Sequence, residues 1–295
     1  MIEDIMNMLF NGALQGAVLA LVSLGYSLVY GVGGIMNLSH GAYFMLTGYL
    51  FLWMLSSPLF VGLEWFTVVI ALIIIIVIGG LTYILLIKPL QDSPVGVVLI
   101  TFGLAFFIEQ FVLIISGTES WSITELQLVH GTSEFLGYKM INQYILLIII
   151  SLVVVLSFAF FISKTKLGKS IRAVSQDREA ATLMGINANR TLLYTVMISA
   201  FLAGLAAFLY LPGATINGPS MGWSYLTSSF AVVILGGMGS LVGSVVGAFV
   251  VGYITSFTSV FIPNGPSWAH LIPLIVIIIV LIIKPHGLFG KKEVE

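Results

Sequence analysis

From Phe66 to Ile87 the chain carries no charged residue. About 22 residues at a rise of about 1.5 Å make about 33 Å of helix, enough to cross the hydrocarbon core of a bilayer. Other runs are as apolar, and none shows the alternating strands of about ten residues that a membrane barrel needs. Only 8% of the residues are charged and the mean hydropathy is +1.13. Soluble domains carry about 25% charge. The fold class is therefore an all-α polytopic membrane protein.

Apolar elements fall at 5–30, 35–56, 66–87, 94–116, 143–162, 191–211, 223–236, 241–261 and 268–283. Breakers separate them, among them Ser57-Pro58, Lys88-Pro89, Ser93-Pro94, Pro212-Gly213, Asn217-Gly218-Pro219 and Pro263-Asn264-Gly265-Pro266. The expectation is eight or nine membrane-embedded helices, some broken or re-entrant, in a single domain spanning 1–295. The acidic start MIEDIMN lacks the basic stretch of a cleavable signal, so the first run reads as a retained helix. With no cysteine, disulfides and thiolate metal sites do not arise. A net charge of −1 gives no sign of nucleic-acid binding, and His40, His130, His270 and His286 lack metal-ligand spacing.

The polar exception is Lys164 to Arg190. It holds six of the eleven basic residues, Lys164, Lys166, Lys169, Arg172, Arg178 and Arg190. These, Lys88, Lys284, Lys291 and Lys292 fit on one side, which the positive-inside rule makes cytoplasmic. The loop 117–142, with Glu119, Glu125, Glu134 and Lys139, then reads as external. Three crossings before Lys88 put the N-terminus outside; a re-entrant element near 31–41 reverses that. Between Arg190 and Lys284, four crossings with a short span at 223–236 satisfy parity. So do two, with part of 212–262 dipping in and returning.

Glycine interrupts two embedded stretches, Tyr30 to Gly41 and Leu235 to Ala248. Non-helical backbone at membrane depth is tolerated where it is packed in protein or lines a cavity. Asn37, Ser39, His40 and Gly41 in the first, and Gly236, Gly237, Gly239 and Ser240 in the second, are thus candidates for a translocation pathway. The competing reading is packing: Gly239, Gly243 and Gly247 recur every four residues, as do Gly12, Gly16 and Ala20. Asn37 or Ser39 also suits a helix cap. Glu109, about two turns from the outer end of its helix, is a further pathway candidate. Against it stands a contact with a wet vestibule, Gln110 or a neighbouring helix. Catalytic signatures are missing. Gly168-Lys169-Ser170 ends like a phosphate loop, but position 163 is Ser where that motif needs Gly.

Within the polar segment, Ile171, Val174, Ala181 and Met184 mark one face of a helix over about 170–185, with Gly185 as its stop. Glu179-Ala180-Ala181, three residues and Gly185 resemble the EAA-x-x-x-G motif of ATP-binding-cassette importer permeases. This chain departs from the longer motif at Thr195 and Met197-Ile198. The blocks 12–49, 168–187, 232–248 and 284–291, in that order, resemble the branched-chain amino acid permease family, and within it the shorter of two related subunits. The resemblance implies an importer half. An external solute-binding protein delivers branched-chain or other hydrophobic amino acids, this chain pairs with a second related permease or a copy of itself, and ATPase subunits drive it. ATP and Mg would belong to the ATPase, with no cofactor on this chain. Arg172, Asp177, Glu179, Ala180, Ala181 and Gly185 would couple to it. The same family covers permeases for urea and short amides. The interrupted helices alone also fit a stand-alone transporter or channel, and Glu109 with His40 an intramembrane enzyme.

Overall fold

The computed structural model describes residues 1–269 and 271–290; His270, Lys291 and Lys292 lie outside the described residues. Eleven helices carry the architecture: α1 (Ile2–Gly33), α2 (His40–Leu55), α3 (Glu64–Leu90), α4 (Pro94–Ser116), α5 (Asn142–Lys164), α6 (Lys166–Gln176), α7 (Arg178–Leu183), α8 (Ala188–Tyr210), α9 (Met221–Gly236), α10 (Leu241–Phe261) and α11 (Leu271–Ile283). Among the described residues, six segments are long and apolar enough to cross a membrane: α1, α3, α4, α5, α8 with its 3-10 extension to Gly213, and α10. The helices start where the local chemistry dictates. Ser93, Thr165, Asn187 and Ser240 each accept a backbone N–H at the start of α4, α6, α8 and α10. In α3 the ladder loosens into a π turn at Thr82–Ile87, just before Pro89, whose ring and missing N–H disturb the preceding turn.

The bundle has two ends. At the loop end, Asn11 in α1 donates to the Tyr138 hydroxyl (2.9 Å) and Gln127 donates to the Pro212 carbonyl (2.8 Å). Two small antiparallel pairs decorate this end. β1 (Ser120–Ser122) pairs with β4 (Thr215–Asn217), and β2 (Thr132–Phe135) with β3 (Tyr138–Ile141). At the basic end, Arg178 donates to Gln91 Oε1 (3.0 Å), and Ile171 and Val174 of α6 pack in one cluster with Val32 and Leu192. The N-terminal part of α1 therefore sits at the loop end, and three elements precede Lys88. Of the two arrangements open between Arg190 and Lys284, four passes through the bundle is the one observed. α8 climbs to the loop end, and α9 descends to place Gly239 against Gly31. α10 climbs back until Ser256 donates to the Met8 carbonyl (2.9 Å), and α11 descends.

The stripe of small residues on α1 packs against α10. A Cβ on Gly252 would lie 2.5 Å from Gly16 N, and Gly12 and Gly16 lie under Tyr253 and Phe249. Likewise Gly243 and Gly247 face the Gly236 and Val232 backbone of α9. Close helix approach, the packing alternative, accounts for these glycines.

α2 and α9 are both 16 residues long, and both begin inside the bundle. His40 is level with Val22, midway between Asn11 and Gly33, because its Nε2 contacts the Val22 carbonyl (2.8 Å). Gly41 meets Gly222, so α9 begins at the same depth. The mid-depth interruptions are thus residues 34–39 and the Gly218-Pro219-Ser220 descent. The glycine run at 236–240 is instead the α9–α10 turn at the basic end. An Asn-Gly-Pro breaker looks like a surface linker in sequence; here it leads the chain down from β4.

Candidate functional site

Most outward faces of α3, α4 and α5 are aliphatic or aromatic, as at Ile73, Val77, Leu99, Phe106, Leu152 and Leu156. α9 differs. Ser220, Ser224, Thr227 and Ser228 recur at helical spacing on one face, and Ser220, Ser224 and Thr227 are exposed. They border a cavity of about 760 Å³ between α1, α9, α10 and α11. Gln15, Thr215, Asn217, Thr255 and Ser259 add polar groups, while Val18, Leu19, Val251 and Ile277 supply apolar wall. Among the described residues lining it, none is charged. The size is within the range of small-molecule sites, about 300–1,000 Å³. Several hydroxyls are satisfied within their own helix: Thr227 donates to the Trp223 carbonyl (2.9 Å), Thr255 to Val251 (2.8 Å) and Ser259 to Thr255 (3.0 Å). Their acceptor lone pairs stay available without the cost of a bare donor in an apolar setting. The helical spacing of these four hydroxyls is a signal in the sequence that the candidates above do not include.

The first set of sequence candidates lies elsewhere. Asn37, Ser39, His40 and Gly41 are buried at the start of α2 and do not line the cavity. Ser39 Oγ bonds Asn37 Oδ1 (2.6 Å) and Tyr43 OH (2.8 Å), and His40 Nδ1 contacts Ser199 Oγ (3.0 Å). With its Nε2 on Val22, the imidazole ties α1 to α8 through the broken backbone. Gly41 is where α2 touches α9: a Cβ there would lie 2.6 Å from that of Leu226.

Glu109 accepts a hydrogen bond from the Trp223 indole N–H. It shares a small pocket with Leu38, Ala42, Pro219 and Gly222, at the N-terminal ends of both α2 and α9. An acidic group there complements the positive ends of two helix dipoles. The neighbouring-helix contact is the alternative the structure displays. His40 and Glu109 share a depth but lie on different sides of α2: His40 contacts α1 and α8, whereas Glu109, on α4, contacts α9. Gly236 and Gly237, with Gly239 and Ser240, form the α9–α10 turn, where Ser240 caps α10 by accepting from Gly243 N (3.1 Å). Among the described residues no cluster of His, Cys, Asp or Glu is arranged to hold a metal.

The polar segment folds as two helices rather than one. Asp177 has extended backbone, ends α6, and caps α7 by accepting from Ala180 N (2.9 Å). Gly185, at φ +84°, closes α7 with Ile186 N donating to the Ala181 carbonyl (3.0 Å). Ala181 is buried with Ile171 and Val174. Asp177, Ala181 and Gly185 therefore shape the segment, as does Arg172, which donates to the Ser163 carbonyl (3.2 Å). Glu179 and Ala180 face outward. Met184, assigned to the inner face by its spacing, is reversed: it is 83% exposed and Leu183 is 88% exposed. The Asp177 kink and the Gly185 turn rotate the helix end away from the bundle. Two large apolar side chains thus stand exposed side by side on an otherwise polar module.

Comparison with known proteins decides the family. A family model described as "Branched-chain amino acid transport system / permease component" matches residues 8–281. The chain belongs to that permease family. It is 26% identical over 301 residues to the high-affinity branched-chain amino acid transport system permease protein LivH of Salmonella typhimurium, covering 97% of this chain and 96% of the relative. Similarity to the BraD permease protein of the same kind from Pseudomonas aeruginosa is 28% over 298 residues, with 97% and 96% covered. The ribose import permease protein RbsC of Haemophilus influenzae is 26% identical over 305 residues, with 99% and 87% covered. No solved structure matches the chain. As a member of the permease family, the protein is a transport subunit of the membrane, not a catalyst.

Proposed function

We propose that this chain, as one permease domain over 1–295, is half of the membrane path of an ATP-driven importer for branched-chain or other hydrophobic amino acids. The observation that carries the reading is the α9 hydroxyl strip on a cavity whose described lining is uncharged, in a bundle where most outward faces of α3, α4 and α5 are apolar. Such a lining hydrogen-bonds the ammonium and carboxylate of a zwitterion weakly, and its apolar wall accepts an aliphatic side chain. A path must bind well enough to admit a solute and weakly enough to release it.

The basic end is taken as cytoplasmic and the loop end, with 117–142 and the N-terminus, as external. An external binding protein delivers solute to the loop end. A second permease, related or identical, closes the open side of the cavity in the cell membrane. The ATPase subunits use ATP and Mg and receive α7 through Glu179, Ala180, Leu183 and Met184, while this chain binds no cofactor. Nothing in the reading calls for nucleic acid.

The test is reconstitution into proteoliposomes with the proteins that co-purify. Uptake of leucine or valine requiring ATP and a soluble binding protein is the expected result. ATP-independent flux through this chain alone would overturn the proposal.

A further inference from the structure

The last turn of a helix leaves four carbonyls without a partner in that helix. In α9 two of these are met from far away in sequence. Leu288 N donates to the Leu235 carbonyl (2.8 Å) and Phe289 N to the Gly236 carbonyl (3.0 Å). The segment after α11 therefore lies across the basic end of α9 as a backbone strap. Its seat is built for contact at backbone distance. Gly287, at φ +75°, has no room for a Cβ, which would fall 2.6 Å from Gly237 N and from the Ile234 carbonyl. The Leu288 side chain packs with Leu235, Val232 and Ile277. On its other side the same α9–α10 turn rests on α1, where Gly239 meets Gly31. That part of α1 shares a cluster with Ile171 and Val174 of α6. The opposite end of α9 is held by the Glu109–Trp223 contact.

We propose that the strap His286–Gly290 is a positioning element for α9, setting the pose of the hydroxyl strip from the basic end. This rests on the reading of that strip as the solute path. Because the chain has no cysteine, Ser224→Cys gives a single thiol on the cavity. Its rate of labelling by a small maleimide is measured in the purified assembly, alone and combined with Gly287→Ala, which displaces the strap. Phe289→Pro removes the donor to Gly236, with a ring that also fixes the backbone at 289 and restricts Leu288, and serves as a second strap variant if Gly287→Ala does not assemble. Phe289→Ala keeps the donor and is the control, its side chain being half exposed.

The expected result is a labelling rate changed about fivefold by Gly287→Ala or Phe289→Pro, the population shift that one backbone hydrogen bond supports. Uptake falls with it, the ATPase stays bound, and Phe289→Ala changes neither. Labelling within twofold of the parent in both strap variants overturns the proposal, whatever happens to uptake. Altered labelling with normal uptake upholds the strap and overturns instead the assignment of the strip to the path.

Discussion

Glu109 offers the sharpest separation of a structural acid from a transporting one. Its carboxylate receives the Trp223 indole N–H where α2 and α9 both begin. Trp223→Phe deletes that donor while leaving an aromatic ring beside Phe102, whose centroid now lies 5.2 Å away. A hydrogen bond to a charged group contributes about 1.5–3 kcal/mol, so the variant should be destabilised by about that much. This is about a tenfold to a hundredfold change in the unfolding equilibrium. Glu109→Gln keeps an acceptor oxygen of the same reach and an ordinary hydrogen bond of about 1 kcal/mol, so it should cost only the difference, about 0.5–2 kcal/mol. The assay is unfolding in mixed micelles by SDS titration, with Glu109→Ala and Trp223→Phe singly and together. The two substitutions should be strongly non-additive, because removing either partner removes the same contact. Glu109→Gln should retain most uptake. Additive single effects would refute the contact, and abolished uptake in a stable Glu109→Gln protein would make the carboxylate part of transport.

Other outcomes follow from the same geometry. Gly252→Leu drives a side chain into Gly16 of α1 and should prevent accumulation of folded protein, whereas Gly103→Leu, with open space at its Cα, should be neutral; membrane yield and gel-filtration profile check both. Asp177→Ala removes the α7 cap and should cost about 1 kcal/mol of local stability, read as faster amide exchange over 178–183, while Asp177→Asn should stay close to the parent. Replacing the exposed pair by Leu183→Glu with Met184→Glu should leave folding intact and strip the co-purifying ATPase; an undiminished complex would mean that the ATPase docks elsewhere.

The sequence was most readable where lipid sets the rule. For α3, α4 and α5, uninterrupted apolar runs gave the helices to within a few residues, since an unsatisfied backbone is too costly in hydrocarbon for any other solution. Depth was harder. The break at 34–39 and the descent at 218–220 are both glycine-containing polar interruptions, as is the turn at 236–240, and only packing tells mid-bundle from bundle end. Gly41 against Gly222, and Gly239 against Gly31, carry that information, and neither pair is near in sequence. The β1–β4 pair, joining Trp121 to Ile216, is equally non-local. Met184 failed for a different reason: one helical period was extended through Asp177, whose side chain stops one helix and starts the next. The α9 strip was legible in principle. Ser220, Ser224, Thr227 and Ser228 have the right spacing, but hydroxyls in a membrane helix also bond their own backbone, so spacing alone does not tell lining from packing.

Cysteine scanning along α9 tests the central claim directly. Thiols introduced one at a time at Ser220, Ser224, Thr227 and Ser228 should react with a polar reagent, block uptake once labelled, and be shielded by transported solute. Thiols at Leu226, Ser229 and Val233, which are buried on the other faces, should stay unreactive. Reactivity without helical period, or full uptake after labelling all four strip positions, would contradict the assignment of this face to the solute path.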